Sequence, residues 1–329
     1  MNITTDKLFS LLKEGIWKCL ARIGILLRWI VLAGAAGVVL GLIGGGFARC
    51  ITIVTGFRIT HPWMLYLLPV SGLAIVAMYR LDPSKSGTNR VLEGISGGKY
   101  VPLRMAPLIM ISTVLTHAFG GSAGREGAAL QLGGSIGGTL GKWLKMDEYD
   151  QKIMIMCGMS AAFSALFGTP LTATVFSMEV VSVGIMQYAA LVPCSIAALT
   201  AREMAILVGA EGEHFAIPTG IPMNAKNITL VIILALLCAA VSILFCAVLH
   251  RTEHLYQKYV PNEWIRVVSG ALLIILLVNL LHTTDYLGTG MNIITKAISG
   301  EVVSTAFLLK MIFTAITLGC GFKGGEIVP

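Results

Sequence analysis

The sequence predicts an all-α integral membrane protein built as an inverted repeat of many tilted, discontinuous transmembrane helices. Three observations predict it. The 329 residues are 56% hydrophobic and only 12% charged, with a mean hydropathy of +0.82, whereas a soluble domain carries about 25% charged residues. Long apolar runs alternate with half-length runs broken by Gly and Pro, as in transporters whose binding site lies at the bilayer midplane. Polar glycine turns also recur in the same order in both halves of the chain.

The start, "MNITTDKLFSLLKEGIWKCLARIG", is too polar and too long before its apolar core to be a cleaved signal peptide. It reads as an amphipathic lead-in helix over residues 1–22, with Leu8, Leu11, Leu12 and Ile16 on one face. Lys7, Lys13, Lys18, Arg22 and Arg28 mark this end as cytoplasmic under the positive-inside rule. Trp29 to Ala48 carries no charge and lies between Arg28 and Arg49, which meets the ~20 residues a bilayer core requires. Trp63 to Tyr79 is a second span, interrupted by Pro69. A polar break follows, with a short helix at about Asn89–Ile95, and then an apolar run from Val101 to Phe119.

After the glycine-rich motif at residues 120–134, a glycine-rich helix runs to about Trp143. Ile153 to Leu166 and Leu171 to Val183 are short apolar segments split by "FGTPLT", where Gly168 and Pro170 stop one helix and start the next. Ala189 to Val208 is broken by Pro193. Gly209 to Lys226 is the longest polar connection, and further apolar segments follow at Ile228–Leu249, Val267–Leu281 and Met311–Cys320.

The repeat is read from two correspondences. "SGTNRVLEGI" matches "GTGMNIITKAI" in layout, a polar glycine turn entering a short helix. "FGGSAGREGAALQ" matches "LGCGFKGGEIVP", an apolar helix ending in a glycine turn that carries a base and then an acid. The implied organisation is a lead-in at 1–22, a first repeat at 23–208, a polar connection at 209–226 and an incomplete second repeat at 227–329. The second copy stops at Pro329 where its next helix is due, so the chain reads as truncated there.

The motif "GGSAGREGAALQLGG" (Gly120 to Gly134) sets Arg125 and Glu126 side by side in apolar surroundings. An ionisable residue inside a membrane is a functional candidate by default. A helix start presents unpaired N–H groups and the positive end of its dipole. Several such ends aimed at one point hold a small anion without a full positive charge that would bind it too tightly to release. Glu126 falls in the first turn of the following helix, where its carboxylate competes for the anion's place. Protonated, it loses that attraction and swings away, acting as both gate and proton acceptor. The plainer alternative is that Glu126 only caps its helix and Arg125 only pairs with a nearby acid.

Other function classes lack support. The seven cysteines and six histidines are dispersed, without metal-ligand spacing, so no metal or cofactor is expected. His117 reads as a packed or hydrogen-bonded residue rather than a proton carrier. No nucleophile–base arrangement appears and the glycine clusters lack GK[ST], so an enzyme is not expected. The net charge of +7 is a membrane-flank signature, and no nucleic-acid partner is expected.

These residues resemble the CLC chloride channels and proton-coupled anion transporters. Gly124-Arg125-Glu126-Gly127 is similar to the family's GREGP motif, with Ala128 in place of proline. "FGTPLT" resembles the break between its paired half-length helices, and "GGEIVP" resembles its G-x-F-x-P motif. Order and spacing agree from about residue 25 to the end. The resemblance implies a homodimer in the lipid bilayer, a bacterial-type plasma membrane, and a halide anion and proton as partners. It assigns Glu126 as gate and proton acceptor. The anion would lie among Gly87, Thr88 and Asn89; Gly124, Arg125, Gly127 and Ala128; and Gly325, Glu326 and Ile327.

Three departures point to the fluoride-export branch. "SGTNR" replaces the serine motif GSGIP, Val180 stands where the inner proton-carrying acid is usual, and Lys323 and Glu326 occur in "KGGEIVP". Fluoride is therefore favoured over chloride, by proton antiport. The alternatives are a passive chloride channel and a non-transporting membrane fragment or assembly subunit. Glu179 reads as a helix-face residue paired nearby, and Lys323 and Glu326 as a pair that neutralise each other. The family's central tyrosine would lie beyond Pro329, so no tyrosine is assigned.

Overall fold

The computed structural model describes residues 5–81, 87–98, 101–182, 184–210, 212, 222 and 224–326, with side chains from residue 13 onward. Among the described residues it contains twelve α-helices and no strand longer than an isolated bridge. Five helical stretches are long and apolar enough to cross a bilayer. The protein is a multi-pass helical membrane protein.

The first helix, α1 (Thr5–Thr60), runs for 56 residues without a break, about 84 Å at ~1.5 Å per residue. The lead-in expected to end at residue 22 is thus continuous with the first span. The cause is local: no proline occurs before Pro62, and Gly15 and Gly24 have nothing within 4 Å that would force a turn. Burial begins at Trp29 and continues through Ala33, Ala36, Leu40, Phe47 and Ile51.

A 3₁₀ turn at Pro62–Leu67 leads into α2 (Leu68–Arg80). Pro69 therefore stands in the first turn of α2 rather than interrupting a span, a position where its missing N–H costs nothing. Next come α3 (Thr88–Gly97), α4 (Met105–Ala118), α5 (Glu126–Trp143) and α6 (Glu148–Phe167). Helix α6 ends on Gly168 at φ 71°, and α7 (Pro170–Glu179) restarts with Pro170 in its first turn, as the sequence predicts. A short 3₁₀ turn then enters α8 (Leu191–Leu207). Pro193 lies near the start of α8 and does not break it, for the same reason as Pro69.

The second half comprises α9 (Ala225–Tyr259), α10 (Glu263–Leu281), α11 (Met291–Ile298) and α12 (Ala306–Gly319). No residue of α9 is buried. The core falls into two clusters. One joins α1 to α3 through α8, and the other joins α2 to α10, α12 and Tyr286–Leu287.

Glycine sets the closest helix contacts. Gly37, Gly41 and Gly45 form one stripe of α1 against α8; a Cβ on Gly41 would stand 2.6 Å from both Ala201 O and Met204 Cβ. Such small-residue stripes let membrane helices approach where no hydrophobic force drives them together. At the α5–α6 crossing, Gly133 and Gly158 face one another so closely that a Cβ on either would strike the other's carbonyl. Gly133 and Gly134 of the glycine-rich motif are therefore packing residues and not part of a turn. Gly41→Leu is expected to destabilise the fold by about 1–3 kcal/mol through overpacking, read as a lower thermal unfolding midpoint in detergent. Gly24→Leu, where the space is open, is the control and should leave the midpoint in place.

Candidate anion site between the two repeats

Helices α4 and α12 are both 14 residues long, and each ends in a glycine turn. In the first turn Gly120 takes φ 91° and the Gly121 N–H donates to Thr116 O at 2.8 Å. In the second, Gly321 takes φ 118° and the Phe322 N–H donates to Thr317 O at 3.2 Å. One sequence offset relates Met105 to Ala306, Thr116 to Thr317, and Gly124 to Gly325. The repeats meet at that last pair: Gly124 N–H donates to Gly325 O at 2.7 Å, and Gly325 N–H to Gly124 O at 2.8 Å.

This register corrects one expectation. With Gly124 opposite Gly325, Glu326 corresponds to Arg125 and Ile327 to Glu126, so the two base-then-acid pairs are not equivalent. Lys323 and Glu326 do not form an ion pair; the Lys323 ammonium sits 4.6 Å from the centre of the Tyr79 ring. Ile327 lies outside the described residues.

Arg125 is the N-cap of α5 and Glu126 its first residue, as the sequence predicts. Glu126 is 1% exposed. Its carboxylate is folded against the start of its own helix, in a slot between the repeats: a Cβ on either Gly124 or Gly325 would fall on a carboxylate oxygen. The same Cβ on Gly325 would stand 2.8 Å from Glu126 N and 2.9 Å from Gly127 N. Carboxylate, helix-start nitrogens and the Gly325 backbone thus share one small volume.

Helix α3 reaches this point as well. A Cβ on Gly127 would lie 3.5 Å from Thr88 Oγ1, from Gly324 O and from Gly325 Cα. Gly87 is the N-cap of α3. Ala128 is fully buried one residue further along α5. The structure therefore brings together Thr88, Gly124, Glu126, Gly127 and Gly325. Asn89 is exposed, and the Arg125 guanidinium turns to the Phe167 ring, 5.1 Å from its centre.

Three cations surround the turn. Arg125 and Arg58 line a cavity of about 310 Å³ together with Thr52, Thr55, Thr289 and Asn292. The acid in that lining, Asp285, is held by Lys296 at 2.6 Å. The Arg58 guanidinium donates to His117 O at 3.2 Å. Lys310, 4% exposed, donates to Ser122 Oγ at 2.7 Å, Gly288 O at 2.6 Å and Tyr286 O at 3.3 Å. Through these three neutral acceptors Lys310 stitches the second repeat to the first. His117 is packed as expected, its Nδ1 2.8 Å from Thr113 O.

Sequence reading missed Arg58, Lys310 and Gln131, which donates from Nε2 to Thr88 Oγ1 at 3.3 Å. Lys310 carried a usable signal, a lone lysine inside an apolar helix. Val180 is the C-cap of α7, directly after Glu179.

Fold and site together define a class: a multi-pass helical membrane protein in which the starts of α3 and α5 meet a glycine turn of the second repeat at a shared interior point. Residues 70–329 match the voltage gated chloride channel family, and the chain belongs to it. It is 34% identical over 311 residues to a chloride/fluoride channel protein of Pseudomonas syringae pv. tomato, covering 92% of this chain and 69% of the relative. An H(+)/Cl(-) exchange transporter ClcA of Yersinia pestis is 24% identical, over 91% of this chain and 68% of that protein. A crystal structure of a CLC-type fluoride/proton antiporter superposes with a TM-score of 0.87 at 33% identity, covering 92% of this chain and 78% of the other.

Proposed function

We propose that this protein moves a small halide across the membrane in exchange for protons, with fluoride favoured over chloride and Glu126 as gate and proton acceptor. The observation that carries the reading is the Glu126 carboxylate in the slot between Gly124 and Gly325, against its own helix start. A halide there would meet the backbone N–H groups of Glu126 and Gly127 and the Thr88 hydroxyl. The carboxylate and the halide compete for one volume, so protonation of Glu126 opens the seat and its ionisation closes it. Arg58 and Arg125, which line the adjoining cavity, favour an anion on this side of the site.

The similarity to a fluoride/proton antiporter supports antiport and the choice of ion. In this proposal Gly87, Asn89, Glu326 and Ile327 complete the surroundings of the anion. The organisation is a lead-in at 1–22, repeats at 23–208 and 227–329, and a connection at 209–226. We assign the N-terminus to the cytoplasm of a bacterial-type plasma membrane. Arg28 pairs with Asp150 at 3.1 Å, which gathers the basic residues Lys142, Lys145 and Lys152 at the same end as those of α1. A homodimer rests on the family resemblance.

Flux in liposomes, with fluoride, chloride and proton movements recorded together, tests the reading. A fluoride gradient is expected to drive protons uphill in the opposite direction. Halide flux that leaves a proton gradient unmoved would establish the passive channel instead.

A further inference from the structure

Thr88 differs from four other buried or half-buried threonines. Thr116, Thr139, Thr174 and Thr317 each donate to the carbonyl four residues earlier in their own helix. Thr88 is the first residue of α3, so no helical carbonyl precedes it at that distance. Its hydroxyl instead accepts a hydrogen bond from Gln131 Nε2 at 3.3 Å. Gln131 is 6% exposed and stands one turn beyond Ala128 on α5. Val91, a turn along α3, packs directly on Gly134 and holds the two helices in register.

A hydroxyl has one proton and two lone pairs, while the nitrogen of a glutamine amide only donates. When Gln131 occupies a lone pair of Thr88, the hydroxyl proton must point elsewhere. A neighbour of that hydroxyl is Gly127, at the helix start where Glu126 lies: a Cβ there would stand 3.5 Å from Thr88 Oγ1. We propose that Gln131 is a positioning residue that aims the Thr88 hydroxyl proton at the halide path and thereby favours fluoride. The inference rests on the transport reading above. Fluoride is small and charge-dense, so a site must replace a strong hydration shell with well-directed donors. Chloride, larger and more weakly hydrated, depends less on one oriented hydroxyl.

The test measures halide KM and proton:halide ratio for purified protein in liposomes. Gln131→Met removes the donor at similar length. Gln131→Glu is isosteric and, ionised, only accepts, drawing the Thr88 proton away from the path. Each is expected to raise the fluoride KM about tenfold, the size of one hydrogen bond to an ion, with a smaller change for chloride and an unaltered proton:halide ratio. Thr88→Val should match them. Adding Gln131→Met to Thr88→Val should cause no further loss, because both act through one hydroxyl.

An unchanged fluoride KM in both Gln131 variants, or an equal added loss in the Thr88→Val background, overturns the positioning role and leaves the transport reading standing. Wild-type protein with no halide flux and no fluoride binding by calorimetry overturns both.

Discussion

Glu126→Ala and Glu126→Gln are each expected to abolish proton coupling, lowering halide-driven proton uptake at least about 100-fold, equivalent to ~2.7 kcal/mol. The argument begins from burial. Glu126 is 1% exposed and lies against the first nitrogens of α5. An ionised carboxylate there gains from the N–H groups and dipole of its own helix start. A protonated one loses that attraction, so charge and position are linked in one side chain. Glutamine keeps the volume but cannot release a proton at any pH, and alanine removes the group altogether. The alanine variant also empties the slot between Gly124 and Gly325, so halide should still run down its gradient without moving protons. Parallel recordings with a fluoride electrode and a pH electrode check both halves. Coupled flux at the wild-type ratio in either variant would remove Glu126 from the mechanism.

Local chemistry made much of this arrangement legible in the sequence. Gly168, Thr169 and Pro170 are a helix stop and a helix start written side by side, and α6 and α7 divide there. The start of α5 at Glu126 followed from a glycine turn entering an apolar run. What local chemistry could not supply was register between distant segments. The base-then-acid pairs matched the two turns in layout only, and the paired hydrogen bonds of Gly124 and Gly325 set the register, with Glu326 corresponding to Arg125.

The same limit hid the polar partners. Lys310 reaches Ser122, and Gln131 reaches Thr88, across stretches of chain in which nothing local signals a contact. Glycines were ambiguous for a related reason. Gly120 turns the chain, Gly124 clears a carboxylate, and Gly133 admits a neighbouring helix, yet all three read alike in the sequence. Pro69 and Pro193 misled because the sequence does not say whether a proline sits at the start of a helix or within it.

Gly325→Ala should be among the most damaging single-methyl changes to flux, with an expected loss of at least about 100-fold (~2.7 kcal/mol). Gly325 lies outside the left-handed region, so alanine meets no backbone strain there and the effect is one of contact alone. Its methyl would press on the Glu126 carboxylate and stand 2.8 and 2.9 Å from the nitrogens of Glu126 and Gly127, closer than a carbon and a nitrogen can pack. It would fill the volume that gate and halide share and force the Gly124–Gly325 pairing apart. Gly46→Ala provides the comparison: a helical glycine with nothing within 4 Å, where the same methyl should leave flux intact and add up to about 1 kcal/mol of stability. Combining Gly325→Ala with Glu126→Ala relieves only the carboxylate contact, because the two nitrogens remain. The double variant should therefore stay well below Glu126→Ala alone in passive halide flux. Equal flux in the two would mean that the halide does not pass between Gly325 and the start of α5.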